Sequence, residues 1–233
     1  MENKKKKIGM IVAVEIGAVA KKYEGRLEDL PIRGFEVKKL SEDGYELYIV
    51  NSGAGEIASA SAAQMLISSL GVDMIVNFGV VGGLTPEMTV AKLAVVTDVV
   101  HYDYDVSEYV GYQKARYIGY PTVYIPATKS LYEAALAVEP MLKPVICASG
   151  DKFIGNPERK WALHTEFNAD ICEMEAAGIV LTCNRNSVPC LLIKAVSDSM
   201  GGGAEEFAAE FERCAEICLD TLEKLIKSDI LNN

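Results

Sequence analysis

Short apolar runs alternate along the chain with segments whose apolar residues recur at helical spacing. Continuous apolar runs are typical of strands buried on both faces of a sheet, and the turn-prone residues 41–44 predict a hairpin. The predicted strands are Ile8–Val14, Phe35–Leu40, Tyr45–Asn51, Met74–Asn77, Lys92–Val100, Val145–Ser149 and Pro189–Val196. The predicted helices are Ile16–Tyr23, Glu56–Leu70, Ser130–Ala137, Pro157–Phe167, Met174–Cys183 and Ala204–Ile226. This alternation predicts a three-layer α/β domain.

One segment, Tyr102–Pro126, follows neither pattern. It holds seven of the eleven tyrosines, together with Gly111, Gly119 and Pro121. Long structured loops are often functional or interfacial, whereas a loop lying freely on the surface would leave many aromatic rings in water. We therefore expect this segment to contribute to a binding site or an interface.

Composition and charge narrow the function classes. The 233 residues are 50% hydrophobic and 24% charged, and because no linker interrupts the pattern we expect one domain over residues 1–233, with residues 1–7 as a flexible tail. Acidic residues outnumber basic ones by 33 to 23, so the net charge is −10. Binding to a phosphate backbone requires the opposite charge, and we expect no nucleic-acid partner.

Targeting and metal-binding signals are weak. The apolar run after the basic N-terminus is too short for a signal peptide, and no apolar stretch reaches the ~20 residues that span a bilayer, so we expect a cytoplasmic protein with no membrane partner. The two histidines lack the spacing of zinc ligands relative to Cys or Asp, and we expect no metal and no cofactor. The six cysteines lie mostly in apolar stretches without CxxC spacing and are expected to be free thiols.

Residues of types that act in catalysis or ligand binding lie where apolar runs end. Glycines at 79, 82 and 83 would let a ligand approach the backbone, although a tight turn is the simpler explanation. On a strand, Glu173 and Glu175 would point in opposite directions, so at most one would enter a given pocket; acids also suit a helix N-terminus. Asp198 ends a buried run, where open α/β sheets bind ligands, or it caps the last helix. Phe153 would stack on a ring or fill the core.

Six motifs, taken in their order and spacing, resemble one enzyme family. They are IGMIVAVE, NSGAGEIASA, VNFGVVGGL, SGDKFI, CEMEAAGIV and KAVSDS, and the resemblance extends from about Ile8 to about Ile226. The family that they resemble is the methylthioadenosine/S-adenosylhomocysteine nucleosidase family, in the nucleoside phosphorylase superfamily, and the EMEA and SD motifs are the most specific part. The resemblance implies a single α/β domain with a twisted, partly closed mixed β-sheet flanked by helices, assembled as a homodimer.

The resemblance also implies a reaction. Members of this family cleave the N-glycosidic bond of 5′-thio-substituted adenosines, which releases adenine and a thioribose. By position, Asp198 corresponds to the acid that protonates adenine N7, and Ser197 to the residue that orients it. Glu175 corresponds to the carboxylate that accepts hydrogen bonds from the ribose hydroxyls. General acid catalysis of this kind is typically worth ~10²–10⁴-fold.

Other positions correspond to the walls of the family's nucleoside pocket. Phe153 would stack on adenine, and the backbone of Ile154 would read the edge of the base. The further substrate-binding positions are Met174 and Glu173 near the ribose, the Gly82–Gly83 loop beside the sugar, and Val80 and Lys194, where many members have Ser and Arg. The positions corresponding to a segment that the partner subunit lends to the pocket are Val106, Tyr109, Tyr112 and Pro121.

The chain departs from the family pattern at the nucleophile. The family usually has AMEEE after the first strand, and the third acid activates the attacking water. Residues 13–17 here read AVEIG, so the corresponding position is Gly17. An ungapped alignment points Glu15 away from the site, although a shift at the start of the helix would bring it there as the water-activating residue.

Three hypotheses are compatible with this departure. The first is a nucleosidase whose water is positioned by Glu15, Glu175 or backbone groups. The second is a phosphorylase that uses phosphate, with Arg116 as the only nearby candidate for an anion ligand. The third is a catalytically weak nucleoside-binding protein. We favour the nucleosidase, because the leaving-group acid and the ribose carboxylate are both retained.

Overall fold

The computed structural model describes residues 5–109 and 111–228, which form a mixed β-sheet flanked by helices. The strands are β1 (Lys6–Val12), β2 (Glu28–Ile32), β3 (Phe35–Ser41), β4 (Tyr45–Asn51), β5 (Met74–Gly83), β6 (Leu93–His101), β7 (Ile125–Pro126), β8 (Lys143–Ser149), β9 (Ile171–Glu173) and β10 (Cys190–Asp198). The helices are α1 (Ile16–Lys22), α2 (Glu56–Met65), α3 (Lys129–Val138), α4 (Pro157–Phe167), α5 (Ala176–Asn186) and α6 (Ala204–Lys227), and a π-helical segment, Leu66–Leu70, extends α2. The predicted α/β class is confirmed.

The sheet closes on itself through β5. Its strand order is β10-β6-β8-β9-β5-β1-β4-β3-β2, and β5 pairs with β10 as well. Strands β5, β9, β8, β6 and β10 therefore form a closed ring, from which β1, β4, β3 and β2 extend. The sheet is mixed, because β5 runs parallel to β1 and β10 whereas β6 runs antiparallel to β10. The partly closed mixed sheet that the resemblance implies is confirmed.

The glycine-rich segment 79–83 is the second half of β5, so the expectation of a tight turn, or of a loop at Gly82–Gly83, is wrong. It continues the strand because Gly79 to Gly82 pair with β10 and Gly82 and Gly83 pair with β9. A Cβ at Gly83 would lie 2.2 Å from the carbonyl oxygen of Met88. Glycine is needed here for close packing against the following chain rather than for a change of direction.

The N-terminal strand begins earlier than the sequence pattern predicts. Lys6 and Lys7 pair with Tyr45 and Glu46 on β4, and the Lys7 amide donates a 2.7 Å hydrogen bond to Asp73. The prediction of a flexible tail over residues 1–7 is therefore wrong for residues 6 and 7, and residues 1–4 lie outside the described part of the chain. The sequence pattern also carries no signal for β2, whose residues are exposed or half-buried.

Helices cover both faces of the sheet and create two main cores. Residues of α1, α3 and α6 pack on one face, against side chains such as Met10 and Ile193. Residues of α2 and α5 pack on the other, against side chains such as Ile11 and Leu192. Neighbouring residues of one strand thus enter opposite cores, as expected for a sheet covered on both sides. All six cysteines are buried and free.

The tyrosine-rich segment between β6 and β7 has no regular structure in its described residues. The rings of Tyr104 and Tyr117 stack with their centroids 4.0 Å apart, and the Tyr117 hydroxyl lies 2.7 Å from Nδ1 of His101. Tyr109, in contrast, is 74% exposed. Among the described residues, no helix is both long and apolar enough to cross a membrane.

Candidate active site

The carboxyl ends of several strands meet around one cavity. Asp198 ends β10, Glu173 ends β9, and Gly82 lies near the end of β5. The cavity has a volume of about 180 Å³, and its position follows the rule that α/β sheets bind ligands at the carboxyl ends of their strands. The lining residues are Ala13, Val14, Glu15, Ala54, Val80, Val81, Gly82, Lys152, Phe153, Ile154, Cys172, Glu173, Met174, Glu175, Ser197, Asp198 and Phe207.

Asp198 is the buried acid of this cavity. Only 2% of its surface is exposed, and its Oδ1 accepts a 3.0 Å hydrogen bond from the hydroxyl of Ser197. Its Oδ2 accepts a 2.5 Å hydrogen bond from the ammonium group of Lys160. Sequence reasoning missed Lys160, although a signal exists: it shares the buried stripe of α4 with Leu163 and Phe167, and a lysine on an apolar stripe requires a buried partner.

Glu15 lies in the cavity wall, so the expectation that it points away from the site is wrong. The reason is that β1 ends at Val12 and α1 begins at Ile16, so Glu15 does not follow the alternation of a strand. Its side chain is buried and accepts hydrogen bonds from the amides of Val14 (3.0 Å) and Val80 (2.9 Å). Gly17, in contrast, is exposed on α1, and a Cβ there would meet no atom within 4 Å.

Glu173 and Glu175 both line the cavity, so the expectation that at most one of them would do so is wrong. The strand ends at Glu173, and Glu175 is the residue that precedes the first turn of α5. Glu175 accepts a 2.9 Å hydrogen bond from the amide of Gly55. Glu173 accepts hydrogen bonds from the amides of Glu175 and Ala176 and forms an ion pair with Lys194 at 3.0 Å. Glu173 therefore also has the expected structural role at a helix N-terminus.

The two carboxylates differ in protonation. Burial, reinforced by the charge of Glu173, raises the pKa of Glu175 to about 7. Burial also disfavours the charge on Glu173, but Lys194 and several hydrogen bonds outweigh it and hold the pKa of Glu173 below its usual value. Glu173 is thus a fixed anion paired with Lys194, while Glu175 titrates near neutrality. Neighbouring carboxylates whose pKa values are pushed apart are typical of catalytic sites.

An apolar wall completes the cavity. Phe153 is half exposed, and its ring packs edge-on against Phe207 with centroids 5.4 Å apart. Ile154 and Met174 lie in the same lining. Sequence reasoning missed Phe207, which lies in the predicted helix Ala204–Ile226 and was given no role in the site. An apolar surface with a few convergent polar groups is the usual composition of a small-molecule site.

The four residues expected to serve a partner subunit lie outside the cavity. Tyr109 and Pro121 are exposed, and Val106 and Tyr112 are half-buried. Within the described residues, no group of three or more His, Cys, Asp or Glu side chains is placed to hold a metal ion. The polar side chains that line the cavity are the carboxylates of Glu15, Glu173, Glu175 and Asp198, the hydroxyl of Ser197 and the ammonium group of Lys152.

Comparison with known proteins identifies the family. The profile described as the Phosphorylase superfamily matches residues 7–230. The chain belongs to the phosphorylase superfamily. It is 31% identical, over 92% of its length and 91% of the relative's, to 5′-methylthioadenosine/S-adenosylhomocysteine nucleosidase from Geobacillus kaustophilus. It is 30% identical, over 72% and 74%, to aminodeoxyfutalosine nucleosidase from Campylobacter jejuni.

A solved structure from this superfamily has the same fold. The 5′-methylthioadenosine/S-adenosylhomocysteine nucleosidase of Helicobacter pylori superposes with a TM-score of 0.89, at 27% identity, over 95% of this chain and 98% of that one. The resemblance inferred from the six motifs is confirmed, and the protein is a nucleosidase, an enzyme that hydrolyses N-glycosidic bonds. Since its relatives include two kinds of nucleosidase, the preferred nucleoside is a separate question.

Proposed function

We propose that this nucleosidase hydrolyses 5′-thio-substituted adenosines such as methylthioadenosine and S-adenosylhomocysteine, giving adenine and a thioribose. The observation that carries the proposal is the convergence of Asp198, Glu175 and Glu15 on one cavity with an apolar wall. Each step of the reaction then has a side chain of suitable chemistry. Asp198 provides the acid for the base, Glu175 the acceptor for the sugar, and Glu15 the base for water.

The leaving group is assisted by Asp198. Protonation of N7 by its carboxyl group lets adenine depart as a neutral base, and general acid catalysis of this kind contributes ~10²–10⁴-fold. The Ser197 hydroxyl, 3.0 Å from Oδ1, orients the carboxyl group. Phe153 stacks on the purine and the Ile154 backbone contacts its edge, since both residues lie in the cavity wall.

The ribose is held by Glu175. Its carboxylate accepts hydrogen bonds from the sugar hydroxyls and stabilises the positive charge that develops at the anomeric carbon. The Gly55 amide, 2.9 Å from Oε1, fixes the carboxylate before substrate binds. Met174 packs beneath the sugar and Gly82 leaves room beside it.

Water is activated by Glu15 in place of the acid that the family pattern has at position 17. The Glu15 carboxylate is buried and held by two amides, so it requires little reorganisation to accept a proton from water. A Cβ at Gly79 would lie 3.0 Å from Glu15 Oε1 and 3.6 Å from Lys194 Nζ. The two charged groups thus flank the same glycine, and Lys194 occupies the position at which many members have Arg.

Water is favoured over phosphate as the nucleophile, because few cations line the cavity to bind an anion. Lys194, which was expected to bind substrate, is not among the cavity-lining residues and is paired with Glu173. The described lining residues include one cation, Lys152, and no arginine. Arg116 donates instead to the carbonyl oxygen of Tyr120, at 3.1 Å, outside the cavity lining. An anion site of the kind that phosphorolysis needs is therefore not favoured.

We also propose that two copies assemble so that each lends the segment with Val106, Tyr109, Tyr112 and Pro121 to the other's pocket. The exposure of Tyr109 in the single chain supports this, because a large aromatic ring gains by burial in an interface. The cytoplasmic location expected from the sequence stays a prediction.

Chromatographic detection of adenine tests the proposed activity. Methylthioadenosine, S-adenosylhomocysteine and aminodeoxyfutalosine are incubated with the enzyme, with and without phosphate, beside an Asp198→Asn control. We expect adenine from the thioadenosines at a rate independent of phosphate, and loss of at least ~10²-fold in the control. Adenine release from aminodeoxyfutalosine alone would assign the enzyme to the second kind of relative, and dependence on phosphate would indicate a phosphorylase.

A further inference from the structure

Lys160 is a fully buried cation that the proposed reaction does not use. Its side chain has 0% exposure. Its ammonium group reaches Oδ2 of Asp198 at 2.5 Å, and the backbone oxygens of Asp198, Ser199 and Gly202 at 3.3, 2.6 and 3.4 Å. All of these acceptors belong to the end of β10 and the turn that follows it. One side chain from α4 thus holds both the carboxyl group and the backbone of the leaving-group acid.

The surrounding chain makes room for this ion pair. A Cβ at Gly82 would lie 3.2 Å from Asp198 Oδ2 and 3.4 Å from Lys160 Cε, so a larger residue in β5 would press on both partners. Burying an ammonium group is costly, and a buried ion pair is weak support for a fold compared with apolar packing. A purely structural need at this position of α4 would be met by an apolar side chain, as at Leu163.

The geometry around the carboxyl group fixes which oxygen can carry a transferable proton. Oδ2 faces the Lys160 ammonium, which is only a hydrogen-bond donor, so a proton on Oδ2 would be opposed by another donor. Oδ1 faces the Ser197 hydroxyl, which can rotate, since the carbonyl oxygen of Val81 lies 3.3 Å from the same Oγ. When Oδ1 is protonated, Ser197 can donate to Val81 and leave the Oδ1 proton free for the substrate.

We propose that Lys160 is a positioning residue for the leaving-group acid, one that holds Oδ2 and thereby directs the transferable proton to Oδ1 of Asp198. This inference rests on the proposed function, because it assigns a role relative to protonation of the leaving base. It predicts that Lys160 matters only for substrates whose leaving group needs a proton. A role in folding alone would affect all substrates alike.

Two substrates separate these roles. Methylthioadenosine requires protonation of adenine, whereas a nitrophenyl 5-thioriboside releases a nitrophenolate that departs without a proton. We expect Lys160→Met to lower kcat on methylthioadenosine by about 10²-fold, with kcat on the nitrophenyl substrate close to that of the wild type. Arg159→Met, at an exposed cation one residue earlier on the same helix, is the matched control and should change neither rate.

A double-mutant cycle keeps the test valid if Lys160→Met folds poorly. In Asp198→Asn the buried carboxylate is gone, so Lys160→Met in that background leaves no unpaired anion. We expect the double variant to match Asp198→Asn in its rate on methylthioadenosine, because residues that act through one group are non-additive. Thermal unfolding of each variant identifies any rate loss that is due to unfolding.

The outcomes distinguish the two proposals. Equal losses on both substrates, or additive losses in the double variant, would overturn the positioning role while leaving the nucleosidase activity intact. A Lys160→Met enzyme that retains full activity on methylthioadenosine would also overturn the positioning role and leave the nucleosidase activity intact. A wild-type enzyme that releases no adenine, while the nitrophenyl substrate is cleaved, would overturn both the proposed substrate class and the role of Asp198 on which Lys160 depends.

Discussion

At the scale of single residues, the hydroxyl of Ser149 determines the protonation of its neighbours. Its Oγ accepts a hydrogen bond from the amide of Ala177 and lies within hydrogen-bond distance of both Glu173 Oε1, at 2.6 Å, and Glu56 Oε1. A hydroxyl carries one hydrogen and donates to one acceptor. Glu173 is the anion paired with Lys194, so Glu56 has to be the carboxylic acid that donates to Ser149.

The protonated Glu56 predicts an unusual dependence of stability on pH. Burial, then the charge of Glu173, raises its pKa from 4.5 to about 8. Between these values the folded protein holds a proton that the unfolded chain has lost, so the free energy of unfolding decreases as the pH rises. In Glu56→Gln, the amide donates to Ser149 and its oxygen accepts from Gly178, as the acid does now. We expect this variant to fold and to be less sensitive to pH across the window, by up to about 1.4 kcal/mol per pH unit.

Denaturant titrations of the two proteins at several pH values measure this difference. Glu175 and Asp151 also lie near Glu56, and Glu175 titrates in the same window, but they are present in both proteins, so most of their contribution cancels in the comparison. Parallel stability curves for wild type and Glu56→Gln would contradict a protonated Glu56.

Glu15 shows what the sequence could not reveal at this scale. The motif alignment places Gly17 at the position of the water-activating acid, and only the bend between β1 and α1 brings Glu15 into the cavity. Asp198, Ser197 and Glu175, in contrast, were placed correctly in the cavity from the motifs. Ser197 and Asp198 follow the end of an apolar run that the sequence marks, and Glu175 lies near the start of a predicted helix. The position of Glu15 depends instead on backbone angles that the sequence does not mark.

A pair of variants tests the assignment of the base. We expect Glu15→Gln to lower kcat on methylthioadenosine by about 10²-fold, because the amide keeps the shape of the carboxylate but does not accept a proton. Gly17→Glu should leave the rate unchanged, since that position is exposed on α1 with open space around it. A faster enzyme after the Gly17→Glu substitution would show that the motif alignment locates the base better than the structure does.

At the scale of elements, the close contact of α2 and α5 positions the ribose carboxylate. A Cβ at Gly178 would lie 2.4 Å from the carbonyl oxygen of Glu56 and 2.7 Å from the hydroxyl of Ser59. The Ser59 hydroxyl in turn lies within hydrogen-bond distance of two carbonyl oxygens, those of Glu175 at 3.0 Å and Glu56 at 3.1 Å, and it donates to one of them. The two helices therefore approach closely enough to fix the backbone of Glu175 only because residue 178 has no side chain.

Gly178→Ala should therefore destabilise the fold and weaken ribose binding. The overpacking is expected to cost about 1–3 kcal/mol, and KM for methylthioadenosine should rise because Glu175 shifts. Gly17→Ala is the matched control: it lies on an exposed helix face with no neighbour, and it should be neutral or stabilising by up to about 1 kcal/mol. Urea unfolding and steady-state kinetics on both variants measure the effect. A Gly178→Ala variant as stable as Gly17→Ala would contradict the close contact.

The sequence predicted elements well where apolar pattern alone determines them. Helix α4 was predicted with its observed bounds, Pro157–Phe167, and the hairpin of β3 and β4 was also predicted. For β5 it predicted only the first part, Met74–Asn77, because glycines that serve close packing have the same sequence signal as glycines of a turn. It missed Lys160 because the pattern shows that a position is buried, but not which acid from another element meets it there.

At the scale of the whole molecule, the sequence indicated the class of fold but not the closure that builds the cavity. Alternation of strands and helices predicts layers, and the closed sheet entered only through the resemblance to a family. The closure depends on β5 pairing with both β9 and β10. Such long-range pairing has no periodicity of its own. It nevertheless brings the ends of β9 and β10, and thus Glu173 and Asp198, to one cavity.

The proposed exchange of segments between two copies can be tested by mixing two impaired variants and assaying them at a methylthioadenosine concentration far below the KM of the weaker binder. Tyr109 is 74% exposed in the single chain and lies on the segment that we propose completes the pocket of a partner. Tyr109→Ala should raise KM for methylthioadenosine, and Asp198→Asn should abolish turnover.

In a two-fold symmetric dimer, a hybrid of these variants contains one site with an intact acid and an intact lent segment. Unfolding and refolding the two variants together should therefore give more activity than either alone, with a dimer mass by light scattering. If each copy used its own segment, every site in the hybrid would keep one defect, and mixing would restore nothing.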